Sequence, residues 1–228
     1  MNIWVQLCLL MAGSYLLGSI PAAYLVSRWA RGIDIRQVGT GNVGSSNVLQ
    51  STSSKWLAFS VLAFDGVKGA FAVWIAQQAG LSAAMQMAVG LAAIAGHNWP
   101  LFLNFSGGKG IITSLGVIMM MSPWLGIIVA AMAYALAPIK QLALGVFIAL
   151  LALPLFSWFL SGPLGIEERL PVTLGFVALT SLAYVRRLTA ARGPLSAGLP
   201  FYKVLIFRLL FDRDIRDRRT WLERGRTG

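Results

Sequence analysis

Charged side chains are scarce in this chain, at 12% of 228 residues, against about 25% in a soluble globular domain. That shortage excludes an ordinary soluble fold. Cysteine occurs once, at Cys8, which rules out an internal disulfide or a cysteine metal cluster and leaves a small apolar helix residue. Histidine also occurs once, at His97, so no two-histidine metal pair exists and no metal or other cofactor is expected. The alternating ten-residue pattern of outer-membrane barrels is missing, as are internal repeats and low-complexity segments. No basic residue precedes the first apolar run, Ile3–Val26. That run is too long for the apolar region of a signal peptide and reads as a retained span.

What the chain has is hydrophobic residues, 57% of the total, in long runs. They predict an all-α, polytopic membrane protein. Candidate spans are Ile3–Val26, Trp56–Gln77, Leu81–Ala95, Ile111–Met121, Trp124–Ile139, Gln141–Leu160 and Pro171–Val185. Ser122-Pro123 either separates two short spans or kinks a single long one, because proline removes a backbone donor. Length favours one helix, since 11 residues rise only about 16 Å through a core of roughly 30 Å. Charge favours two. With seven spans and the N-terminus outside, every Lys and Arg except Lys68 and Arg169 falls on the cytoplasmic side, as the orientation rule requires. Short spans can be covered by neighbours or by bilayer thinning. The expectation is therefore seven transmembrane helices, N-out and C-in. Residues 1–198 form the membrane domain, and 199–228 a basic tail with an interfacial helix and a solvated end near anionic lipid.

The net charge of +11 belongs to those loops and that tail, so no nucleic-acid partner is expected. The same topology opens loop Arg28–Lys55, loop Gly96–Gly110, the Lys140 turn and the segment after Val185 on one face. Asp34 is the only carboxylate on that face before the tail.

Two of these loops carry chemistry. In Gly96–Gly110, Gly107, Gly108 and Gly110 cradle Lys109, with His97 nearby. Glycine backbone can close its N–H groups around an anion, and lysine supplies the countercharge. Polar groups at a membrane surface commonly mark a substrate site. The arrangement reads as a phosphate site, with His97 as a donor or a base. It is not a Walker loop, because position 103 is leucine and Lys109 is followed by Gly110. In the other loop, Gly39, Gly41 and Gly44 match a dinucleotide-binding string, but that string follows a membrane helix instead of a strand. It leaves a loop rich in small, hydroxyl and amide groups, able to approach a polar ligand closely. Asp65 and Lys68 lie three apart in the second span and are expected to pair, since each costs about 2.5–3.5 kcal/mol unpaired at mid-bilayer. No Ser-His-Asp set exists on the loop face, and the acylation string His-x4-Asp is absent, Phe102 standing five after His97.

Four stretches, Leu17–Pro21, Asp34–Asn47, Asp65–Gly69 and Gly96–Leu115, together resemble the bacterial acyl-phosphate:glycerol-3-phosphate acyltransferase family, PlsY. The resemblance covers the first half of the chain in the family's order and spacing. It implies seven helices, a cytoplasmic-face site in the bacterial inner membrane, and acyl transfer from acyl phosphate to the 1-hydroxyl of glycerol 3-phosphate. The products would be lysophosphatidate and phosphate. Phosphate is a good leaving group, which suits a chain without a protein nucleophile.

By motif position the resemblance implies Lys109, His97 and Asn42 as catalytic. Arg36, Thr40, Gly41, Ser45, Ser46, Asn47, Lys68, Gly107, Gly108 and Gly110 would bind substrate. The expected partners are acyl phosphate, glycerol 3-phosphate and the bilayer. Departures stand at Thr40 (usually Ser), Ser45-Ser46 (usually Ala-Thr), Gln50 (usually Arg), Ser106 (usually Lys) and Ala143 (aligned with a serine). The family's third signature, with His, Asn and Glu after the last helix, is replaced by Arg186–Arg192. Two other readings follow from the same residues. One is a relative that binds phosphate ligands without turnover; the other is a small transporter, for which the usual internal repeats are missing.

Overall fold

The computed structural model describes residues 2–190, 196 and 198–223, all-helical apart from turns and loops. Ala191 and Arg192 of the segment after the last long helix, and residues 224–228 of the tail, lie outside the described residues.

Helix α1 (Ile3–Ser19) starts where the Asn2 side chain accepts the Trp4 N–H at 2.9 Å. It stops at Ile20 because Pro21 offers no N–H to continue the ladder. The chain resumes at once as α2 (Ala22–Arg31), so the first expected span is broken near its end. A loop leads to α3 (Ser45–Thr52), and α4 (Lys55–Gln78) then crosses the bundle, its start capped by Ser54 Oγ. Helix α5 (Ala83–Asn98) runs further than its apolar stretch, which puts His97 in its last turn.

At Ser122 the chain reverses. Helices α6 (Ile111–Met121) and α7 (Pro123–Ala135) are separate and antiparallel, with Gly126 against Met119. Ser122 Oγ accepts the Leu125 N–H and donates to Leu164 O at 3.0 Å, and Pro123 opens α7, where no donor is needed. Helices α8 (Leu142–Phe159) and α9 (Arg169–Leu188) return as a packed pair. Helix α10 (Phe201–Phe211) and a short α11 (Arg218–Glu223) are the last elements among the described residues. By length and apolarity, Ile3–Arg31, Lys55–Gln78 and Leu142–Phe159 can each cross a membrane.

Glycine sets the helix spacing. A Cβ at Gly18 would strike the Ala93 carbonyl and one at Gly96 the Tyr15 carbonyl, so α1 and α5 run side by side at backbone distance. Gly69 and Gly116 do the same for α4 and α6, against Thr113 and Gly66. In lipid, where burial of apolar side chains gives little drive, such small-residue seams are what hold helices together. The largest buried cluster, including Met87, Val117, Leu125, Leu153 and Phe176, fills the space among α4 to α9.

The seams fix which ends meet. Gln6 reaches Ala79 O (3.3 Å) and the Ala83 N–H reaches Glu168 (3.2 Å) at one end. The first loop, the Gly96–Gly110 loop, the start of α8 and the end of α9 gather at the other.

The tail is solvated only in part, residues 216–220 being exposed. Val204 and Arg208 of α10 are buried, as are Arg213 and Asp214 beyond it. Arg208 Nε sits 2.7 Å from Asp214 Oδ1, and Arg208 Nη1 donates to Leu188 O at 2.9 Å. Pairing offsets the cost of burying Arg208 and Asp214.

Candidate functional site

The first loop is organised by one amide. Asn47, fully buried in the first turn of α3, points its Nδ2 at the carbonyls of Ile35 (2.9 Å), Val38 (3.0 Å) and Asn42 (3.0 Å). Its Oδ1 accepts the Thr40 N–H at 2.9 Å. Gly39 has φ 58° and a Cβ there would meet Asn47 Oδ1, while Gly41 has φ 70°. Both positions need glycine. Below this shell Ile35, Val43 and Val48 pack with Val61 and Leu103.

The rim stays accessible. Gly41, Ser46 and Arg36 are exposed, and Thr40, Asn42 and Ser45 half-buried. No side chain caps α3. Arg36 lies over Tyr24 and forks onto Asp34, Nη2–Oδ2 2.6 Å and Nε–Oδ1 3.0 Å. The Arg36 hydrogen bond holds the Asp34 carboxyl below the ordinary carboxylate value.

The second loop folds under the end of α5. The Gly108 N–H donates to His97 O at 3.1 Å. A Cβ at Gly107 would strike the His97 carbonyl and Pro100, and one at Gly108 would strike His97 Nε2 and lie 2.5 Å from Val43 O. The two loops therefore touch, Val43 against Gly108. Gly18, Pro21, Val43, Asp65, His97 and Gly108 all line one narrow cleft at that contact. Arg186, from the last turn of α9, donates to Gly108 O and Gly107 O, both at 2.8 Å. With these carbonyls so held, the N–H groups of the same peptide planes, those of Gly108 and Lys109, have a fixed direction.

His97 is itself oriented. Its Nδ1 is 3.4 Å from Asp65 Oδ1, and Asp65 pairs with Lys68 at 2.8 Å, the pairing their spacing led us to expect. Lys68 Nζ also donates to Gly18 O (3.1 Å) and Ile20 O (3.4 Å), the carbonyls at the α1 break. Lys68 is sealed, its side chain 1% exposed. It has no open path to a ligand, unlike the rim of the first loop. With Nδ1 on Asp65, His97 turns Nε2 toward Gly108 and the cleft, the geometry of an oriented base.

Lys109 has a different partner from His97. Its Nζ lies 2.6 Å from Asp212 Oδ2 and 3.4 Å from Asp212 O, at the end of α10. The side chains of Lys109 and Asp212 are 25% and 23% exposed. Arg187 Nε stands 4.0 Å from Asp212 Oδ1. The expectation of His97 beside Lys109 holds along the chain, but their side chains serve different neighbours.

Three residues of this region escaped sequence reasoning. Asp65 was legible as a partner of Lys68 and not of His97, a contact that depends on α4 and α5 packing. Arg186 was legible only as positive charge. Asp212 carried no signal, since nothing local says that α10 doubles back.

The family description glycerol-3-phosphate acyltransferase matches residues 8–193. Glycerol-3-phosphate acyltransferase 4 of Dehalococcoides mccartyi is 46% identical over 221 residues, covering 97% of this chain and 94% of that protein. The glycerol-3-phosphate acyltransferase of Laribacter hongkongensis is 44% identical over 152 residues, 64% of this chain and 75% of that one. The crystal structure of PlsY, an integral membrane glycerol 3-phosphate acyltransferase, in its glycerol 3-phosphate form superposes with a TM-score of 0.72. It has 29% identity and covers 80% of this chain and 88% of that one. Its lysophosphatidic acid form gives 0.70 and 28%. The two glycine loops, the oriented histidine and these likenesses make this chain a membrane acyltransferase, a member of the glycerol-3-phosphate acyltransferase family.

Proposed function

We propose that the chain transfers a fatty acyl group from acyl phosphate to the 1-hydroxyl of glycerol 3-phosphate, releasing phosphate and 1-acylglycerol 3-phosphate. The observation that carries this reading is the contact of the two glycine loops at Val43 and Gly108, beside His97. It brings the two loops that carry the proposed phosphate donors next to each other. Lys109 and the N–H groups of Gly107, Lys109 and Gly110 hold one phosphate and stabilise charge as it develops, the Gly108 N–H being held by His97 O. The rim of the first loop, with Arg36, Thr40, Gly41, Asn42, Ser45, Ser46 and the uncapped start of α3, holds the acceptor. Asn47 and Lys68 act from below, fixing the loop and the break in α1, with no substrate contact of their own.

In the reaction the acceptor's 1-hydroxyl oxygen attacks the acyl carbonyl carbon and the bond to the phosphate oxygen breaks. His97 Nε2 takes the hydroxyl proton, and the electron pair leaves with phosphate. No covalent acyl-enzyme is needed.

We read the bundle as seven crossings with the N-terminus outside and this cleft at the cytoplasmic face of a bacterial inner membrane. The gathering of the basic loops at the site end supports that orientation. The deciding experiment is turnover by purified protein with glycerol 3-phosphate and, in turn, acyl phosphate, acyl-CoA and acylated carrier protein. Acyl phosphate should give lysophosphatidate and Lys109→Ala should lose it; turnover unchanged by that substitution rejects the assigned site.

A further inference from the structure

We propose that the C-terminal tail supplies a two-position carboxylate, Asp212, which competes with substrate phosphate for Lys109 and so sets how tightly the site grips phosphate. This rests on the reading of Lys109 as a phosphate-holding group. Asp212 lies beyond residues 8–193 that match the family.

Three observations converge. Asp212 occupies the lysine now, with its carboxylate at 2.6 Å and its carbonyl at 3.4 Å from Nζ, so a phosphate arriving there meets an anion already in place. The carboxylate is presented rigidly. It sits in the left-handed cap of α10 at φ 59°. The last turn of α10 is tied down by Arg187 Nη1 donating to Leu209 O at 2.7 Å and by Arg208 donating to Leu188 O. The tail is thus a fixture and cannot leave as a lid; only the Asp212 side chain has room to move.

The third observation supplies its other position. Arg187 is 2% exposed, and its Nε is a buried donor without a hydrogen-bond partner, 4.0 Å from Asp212 Oδ1. A buried unpaired donor is costly. A small rotation of the carboxylate onto that Nε–H satisfies it and frees the Lys109 ammonium. Arg187 is the receiver of Asp212 and no substitute phosphate ligand, because its Nη groups already serve Ala143 O and Leu209 O. Phosphate binding then replaces the Lys109–Asp212 pair with Lys109–phosphate and closes the 4.0 Å Arg187–Asp212 pair to hydrogen-bond distance. The competing carboxylate loosens a grip that the released phosphate must escape.

The test is calorimetric titration of the purified full-length protein in detergent with inorganic phosphate and with glycerol 3-phosphate. Asp212→Asn, similar in shape and uncharged, should bind inorganic phosphate more tightly by on the order of fivefold, the scale of a partly exposed ion pair, and leave glycerol 3-phosphate, held at the first-loop rim, unchanged. Asp212→Glu should stay near the parent affinity, and Lys109→Ala in the Asp212→Asn background should abolish the gain. Unchanged or weaker phosphate binding in Asp212→Asn overturns the proposal. So does a gain shared by Asp212→Glu or one surviving Lys109→Ala. Thermal unfolding of each variant separates these results from misfolding. Unaltered turnover in the single Lys109→Ala variant would instead reject the underlying site assignment.

Discussion

Replacing Asn47 by alanine should open the first loop without unfolding the protein, and the size of the effect can be worked out. The two Nδ2 hydrogens serve three carbonyls and Oδ1 serves the Thr40 N–H, which amounts to about three full hydrogen bonds. At about 0.5–1.5 kcal/mol each, alanine removes roughly 2–4 kcal/mol from the local stability of the loop. Ile35, Val43 and Val48 still pack below it, so the helices should hold. Hydrogen exchange read by mass spectrometry reports local opening directly. Peptides spanning residues 35–42 should exchange about 30- to 1000-fold faster, while α4 and α6 keep their protection. The KM for glycerol 3-phosphate should rise and the yield of folded protein should not fall. Asn47→Asp should be worse than alanine, because it aims a carboxylate oxygen at three carbonyl oxygens. Unchanged exchange in Asn47→Ala, or a benign Asn47→Asp, would refute the network's role.

Gly108→Ala should cut kcat by at least tenfold with little change in folding, since the new Cβ meets His97 Nε2 and Val43 O; steady-state kinetics against a thermal melt checks this, and parent-level kcat counts against the cleft. Lys68→Met strands Asp65 as a buried carboxylate and should destabilise by about 3–5 kcal/mol, whereas Lys68→Met with Asp65→Asn should recover much of it; equal losses in the melts of the two variants would show that charge pairing is not the cause. At the rim, Asp34 has its carboxyl lowered below 3.8 by the Arg36 hydrogen bond. Its contribution is therefore full above 3.8 and fades as pH falls through the depressed value. The stability gap between parent and Asp34→Asn should be flat from pH 5 to 8 and shrink below about 3.8; a gap that grows on acidification contradicts the sign.

Much of this was legible in the chain itself. The paired Asp65 and Lys68 followed from the cost of lone charges among apolar residues, and the helix reversal at Ser122 from the placement of basic residues. Both are local or compositional effects. The contact of the two loops was an inference from topology and depended on helices α1 and α5 touching through Gly18 and Gly96, glycines with no sequence signal beyond their size. What remained hidden was tertiary. Asn47 sits in a string that reads as ligand-binding, yet its amide is spent on four backbone groups. Asp212 lies in a run of alternating charges that reads as solvated until Arg208 and Asp214 are seen to neutralise each other beneath it. Sequence shows that a polar group is present, while packing decides which neighbour it serves.

The interruption of the first helix has a meaning beyond its geometry. At Pro21 the ladder loses a donor, and the Ala22 N–H turns to Ile20 O at 3.1 Å, away from Gly18. The Gly18 oxygen that the ladder abandons is taken up by the Lys68 ammonium from a different helix, which also reaches Ile20 O. The break and the cation are therefore a single device shared by two segments that lie 48 to 50 residues apart. Straightening the helix with Pro21→Ala would return the Gly18 oxygen to its own ladder and take it from Lys68, so repair at one position becomes a loss at the other.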